Sequence, residues 1–165
     1  MMIGIEDLID QTKADVITWR RQLHKYPELS FQEEKTAQFV YDKLCTLKKL
    51  EVSRPTKTSV MARLIGSLPG NVLAIRADMD ALPMEESENN LIGSKKWVSL
   101  NKEASHTCGH DAHMAMLIGT MEVLNSIKDE LSGKIYFLFE QGEEIGTGIK
   151  AMLDAIKDLG IEAIY

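Results

Sequence analysis

The sequence predicts an α/β fold, a mixed and partly parallel sheet with helices on both faces. Three observations carry that prediction. Two long stretches near the start repeat apolar residues at helical spacing. Short apolar runs bounded by turn residues follow them. Near the end, a helical stretch lies between two strand-like runs, the βαβ order that sets parallel strands under a covering helix. With 165 residues, 44% of them hydrophobic and 27% charged, the chain can bury one core without a disulfide or metal staple.

The first helix is expected over 5–25, where Ile5, Leu8, Ile9, Val16, Trp19 and Leu23 recur at helical spacing and Pro27 ends the run. A second is expected over 33–49, with Ala37, Val40, Leu44 and Leu47 on one face and Ser30 with Glu33 as a capping box. Apolar runs at 60–65 and 72–77 flank a Gly-Ser-Leu-Pro-Gly-Asn turn, which predicts a hairpin of neighbouring strands. Residues 84–105 are polar and weakly patterned and read as a long loop, a length uncommon unless functional. A helix over 111–127, a buried strand over 134–139, a helix over about 148–158 and the start of a strand at 161–165 complete the order.

Composition narrows the function. No apolar run approaches the ~20 residues that cross a bilayer, so no membrane partner is expected. The N-terminus, Met1 to Asp7, has neither a basic nor an apolar signal-peptide region, which makes the cytoplasm the expected location. A net charge of −6 without a basic block argues against nucleic acid. In a reducing compartment Cys45 and Cys108 are not expected to pair, and Cys45 reads as a buried thiol among apolar neighbours.

Three polar clusters follow predicted strands or open a helix, and ligands of open α/β sheets bind beyond the carboxyl ends of strands. Asp78 and Asp80, two apart, can bind a hard cation or hold a metal-bound histidine by its second nitrogen; a plain strand-ending turn stiffened by Pro83 is the bland alternative. The segment from His106 to His113 holds three of the chain's four histidines. Cys108 there lies near a helix N-terminus, which is expected to lower its pKa, and thiolate with imidazole suits borderline metals. His110 and His113 are one turn apart. His106 and His113 read equally well as a loop hydrogen bond and a packed helix position, Asp111 as an N-cap or first-turn acid and His24 as structural. After the later strand, Glu140, Glu143 and Glu144 repel one another unless a cation compensates. One of the last two can ligate metal while the other takes the proton of metal-bound water. A solvated acidic turn is the alternative.

The order Leu23-His24-Lys25-Tyr26-Pro27-Glu28-Leu29-Ser30, Arg76-Ala77-Asp78-Met79-Asp80-Ala81-Leu82-Pro83, Cys108-Gly109-His110-Asp111, Glu143-Glu144 resembles the M20 metallopeptidases and amidohydrolases. More narrowly it is similar to the branch of hippurate hydrolases, N-acyl-amino-acid and N-acetyldiaminopimelate deacetylases and auxin-conjugate hydrolases. The resemblance implies a three-layer α/β/α, zinc-peptidase-like sandwich. It implies hydrolysis of the amide bond of N-acyl amino acids or small peptides with two divalent ions, zinc, manganese, nickel or cobalt. Cys108, His110 and Glu144 match metal ligands, Cys108 as a bridge, and Glu143 matches the general base. Asp78 and Asp80 fall in a supporting shell; in related M20 peptidases the first of these positions is a ligand histidine.

Two departures stand out. Glu140-Gln141-Gly142 replaces the frequent Gln-Pro-Ala, which is expected to add negative charge and loosen the turn. The family's next ligand histidine, its last one and the lid domain that mediates dimerisation all lie beyond a position matching Tyr165. Residues 1–165 therefore read as the N-terminal portion of the catalytic domain, truncated before the lid, expected to bind metal weakly and turn over little alone. The alternative is a non-catalytic remnant serving as a metal-binding or interaction module.

Overall fold

The computed structural model describes residues 4–165. The signal-peptide reading falls partly on residues 1–3, outside the described residues. Four helices and seven strands run in the order α1 (Ile5–Lys25), α2 (Glu34–Cys45), β1 (Glu51–Ser53), β2 (Val60–Ile65), β3 (Leu68–Asp78), β4 (Asn89–Asn90), β5 (Gly93–Ser94), α3 (His110–Ser126), β6 (Ser132–Glu140), α4 (Ile149–Ile156) and β7 (Ala163–Ile164).

Five strands form one sheet in the order β1-β2-β6-β3-β7. β2 pairs antiparallel with β1 and β6, while β3 pairs parallel with β6 and β7. The expected hairpin of β2 and β3 is therefore not formed: β6 sits between them. Local turn chemistry joins the two strands in sequence, but the strongly apolar β6 buries both of its faces only at the centre of the sheet. Its side chains alternate accordingly. Phe137 and Phe139 enter the core with Leu23, Val40, Leu44, Ile118 and Met121, under α1, α2 and α3. Tyr136 and Leu138 pack with Ala74, Met152 and Ile156 under α4. Helices thus cover both faces, as the sequence predicts.

Other departures are local. α2 stops at Cys45, short of 49, and Lys49 turns the chain with φ 68°. Cys45 follows the core residue Leu44 by one position, which points it outward, so it is exposed rather than buried. The capping box does not form, because Glu28 rather than Ser30 accepts from the first turn of α2, with 2.8 Å to the Thr36 amide. Residues 84–105 hold the small β4–β5 hairpin and, at Ser105, an isolated bridge to Leu82. No described helix is long and apolar enough to cross a membrane.

Candidate metal centre

The parallel register of β3 and β6 sets Asp78 opposite Glu140, so the acidic segments after the two strands emerge side by side. α3 starts against them. Gly109, with φ 97° at its N-cap, supplies the left-handed turn that a side chain resists, and His110 follows at 2% exposure. The His110 Nδ1–H donates to the Asp80 carbonyl at 2.8 Å. That bond places the proton of the neutral ring on Nδ1 and leaves the Nε2 lone pair unshared.

Nε2 faces a ring of acceptors: Asp78 Oδ2 at 3.6 Å, Glu144 Oε1 at 3.7 Å and Glu143 Oε2 at 3.8 Å. Donor atoms of Cys108, His110 and Glu144 lie within 4.8 Å of one another, as do those of Asp78, His110 and His113. Metal–ligand bonds of about 2.0–2.3 Å in a tetrahedron separate ligands by roughly 3.3–3.8 Å, a range that the 3.7 Å between His110 Nε2 and Glu144 Oε1 meets. Glu144 Oε1 is buried without a hydrogen-bond partner, the mark of an acceptor whose partner is not protein.

His113, 48% exposed, is not the packed helix position the sequence allows. It stacks on His110 at 5.7 Å and reaches Asp78 Oδ1 from Nδ1 at 2.8 Å. Asp78 Oδ2 meets Arg76 at 3.3 Å. Asp80 Oδ1 accepts from the Glu143 amide at 3.1 Å, and its Oδ2 from the Glu144 amide at 3.0 Å and the Ser30 hydroxyl at 2.6 Å. Glu140 is buried and paired with Arg76 at 2.5 Å, so its extra charge is compensated.

The charges follow from these contacts. Burial opposes a proton on His110, but the Asp80 bond and the Asp78 charge outweigh it and push its pKa up to about 9. The pocket thus favours a cation on Nε2. Burial likewise works against ionised Asp80, yet donors from His110, Ser30 and the Glu144 and Glu143 amides hold it at about 2. Asp78 is lowered despite burial by His113, His110 and Arg76. Cys108 departs from expectation: desolvation, then Glu144, Glu143 and Asp78, push its thiol up rather than down. Desolvation and then the nearby carboxylates outweigh the helix dipole.

Around this ring stand residues the sequence reading treated as structural or missed. His24 Nδ1 and Arg20 both meet Asp111 Oδ2 at 2.8 Å, bracing the first turn of α3 from behind. His106 makes neither a loop hydrogen bond nor a ligand contact: both ring nitrogens are buried and unpartnered, and burial holds its pKa near 4. Glu33 is fully buried, accepts from the Gly142 amide at 2.8 Å, and has its pKa raised by that burial. Nothing in the spacing of Ser30 and Glu33 separates this role from a helix cap.

The model of peptidase family M20/M25/M40 matches residues 74–165. The chain is 57% identical to an N-acyl-L-amino acid amidohydrolase of Geobacillus stearothermophilus, over 87% of this chain and 38% of that one. It is 39% identical to thermostable carboxypeptidase 1 of Saccharolobus solfataricus, over 96% of this chain and 42% of that one. A Bacillus subtilis crystal structure described as a dinuclear metal binding peptidase from the M20 family superposes with a TM-score of 0.84 at 39% identity, covering 94% of this chain and 42% of that one. The chain thus spans about two fifths of the length of the relatives it matches.

Proposed function

Because the chain belongs to peptidase family M20/M25/M40, we propose that it carries part of a metal-dependent amidohydrolase centre that cleaves the amide bond of N-acyl amino acids. The observation that carries this reading is the convergence of a thiol, an imidazole nitrogen and an unpartnered carboxylate oxygen within 4.8 Å, with a second glutamate 3.8 Å from that nitrogen.

Cys108, His110 and Glu144 would hold divalent metal, with two ions in a complete site, chosen among zinc, manganese, nickel and cobalt by availability. Such ions supply Lewis acidity, polarising the amide carbonyl and lowering the pKa of water. Glu143, partly exposed, takes the proton of the attacking water and returns it to the departing amine. Asp80 fixes both glutamates through their amides and His110 through its own carbonyl. Asp78, engaged on both oxygens by His113 and Arg76, stands as support beside Nε2. One imidazole lone pair serves one ion, so the Asp78–His113 group cannot be filled through Nε2 together with the Cys108 group. The resemblance implies two more histidine ligands and a dimerising lid domain, which belong to the three fifths of the relatives' length this chain does not span.

Titration with cobalt(II), followed by thiolate-to-metal absorption, tests the site. The wild-type chain is expected to bind and Cys108→Ser to lose the band. Glu143→Gln is expected to keep the metal while any hydrolysis of N-acetyl or N-benzoyl amino acids falls by about 10²–10⁴. A wild-type chain that holds no metal, or Cys108→Ser binding with the same spectrum, would sink the reading.

A further inference from the structure

The turn between α1 and α2 touches no candidate ligand, yet it is tied to both acidic segments of the site. Glu33 Oε1 accepts from the Gly142 amide at 2.8 Å, while its Oε2 is buried with no hydrogen-bond partner. Phe31 sits at φ 63°, a region a bulky residue adopts only when its surroundings impose it. The Phe31 ring lies over Gly142, where an added Cβ would come within 2.8–2.9 Å of ring atoms. Gly142 itself has φ 60°. Ser30 donates to Asp80 Oδ2, the oxygen that also accepts from the Glu144 amide. The turn is pinned in place: Leu29 bridges Ala81, the Ala81 amide donates to the Glu28 carbonyl at 2.9 Å, and the Ala37 amide of α2 donates to the Glu33 carbonyl at 2.8 Å.

Burying a carboxyl with one oxygen unpaired is costly, and an apolar residue of similar volume would serve packing better. What Glu33 provides that an apolar residue cannot is an acceptor for Gly142, two residues before Glu144. Ser30 does the same one step removed, through Asp80.

We propose that Ser30, Phe31 and Glu33 form a positioning clamp that sets the backbone of Gly142, Glu143 and Glu144, so that the base and the ligand carboxylate face His110 Nε2. The clamp rests on the functional reading above for what the turn is positioned to do, but its geometry is testable without it. Glu33 and Ser30 are positioning residues here: neither touches a metal donor atom.

Native-state amide exchange by NMR and cobalt(II) titration of the 165-residue chain test the clamp together. Glu33→Ala is expected to speed exchange at Gly142, Glu143 and Glu144 by about tenfold over amides of β6, and to weaken cobalt binding roughly 10–100-fold. Glu33→Gln keeps an amide oxygen for Gly142 and is expected to stay within about threefold of wild type in both readouts. Ser30→Ala is expected to speed Glu143 and Glu144 about threefold and spare Gly142, which also decides the matter if Glu33→Ala does not fold. Exchange that rises uniformly across the sheet, or Gln and Ala variants that behave alike, overturns the clamp. If wild type binds no cobalt, the metal reading fails and the exchange pattern alone decides the clamp.

Discussion

The two acidic segments that meet at the site sit on adjacent parallel strands and are made of the same chemistry, yet they are held in opposite ways. After β3, both oxygens of Asp80 are taken by three donors within 3.1 Å, and both oxygens of Asp78 face His113 and Arg76. After β6, Glu144 Oε1 is buried with no hydrogen-bond partner, 3.7 Å from His110 Nε2, and the Glu143 side chain is partly open to solvent. Asp80 and Asp78 are held by protein donors, whereas Glu144 Oε1 keeps an open acceptor, and under the proposed function that acceptor is the one an ion would take.

Removing the scaffold carboxylate gives the largest expected effect. Asp80→Ala strands the Glu143 and Glu144 amides and the Ser30 hydroxyl, and urea unfolding is expected to show about 3–5 kcal/mol less stability. A loss below about 1 kcal/mol would break the contrast. Glu144→Gln tests the other side. It removes repulsion from the neighbouring carboxylates together with the attraction to His110 at 3.7 Å, so the two offset and stability is expected to change by no more than about 1 kcal/mol. Cobalt affinity should nevertheless fall on the order of 100-fold.

Glu33 sharpens the comparison through pH. Burial raises its folded pKa above 4.5, so from pH 4.5 upward to that raised value the folded chain holds more protons than the unfolded one. Its contribution is fully present below pH 4.5 and is lost as pH rises through the folded pKa. Glu33→Gln abolishes that loss. Urea curves of the two proteins are expected to converge at pH 4 and to separate in favour of the variant toward pH 7; parallel curves would count against the shift. The smallest effect is expected at His113, which is 48% exposed: His113→Ala should change stability by about 0.5 kcal/mol or less. Its effect on cobalt affinity should fall well short of that of Glu144→Gln.

Much of this was legible in the chain. The helix over 5–25 and the strand at 60–65 match α1 and β2, because long apolar periods and β-rich runs between turn residues are local signals. Cys108, His110, Glu143 and Glu144 stood out by residue type and placement, and the structure gathers them around one nitrogen. Ser30 and Glu33 were visible only as a helix cap, since a side chain that finds its partner some fifty or a hundred residues away leaves no periodic trace. The Cys108 pKa shifts up for a similar reason: a helix N-terminus can be read from sequence, whereas the desolvation and the carboxylates that tertiary packing brings to it cannot.

By itself the sequence determined the α/β class, the elements on either side of the sheet and the residue types able to bind metal, because each depends on composition and short-range spacing. Only the tertiary structure decided that β6 separates β2 from β3, that Asp80 is a saturated brace while Glu144 is left open, and that Glu33 reaches Gly142. Those outcomes depend on which strand finds which neighbour. That choice is made by burying both faces of β6 at once, and no local stretch of the chain contains it.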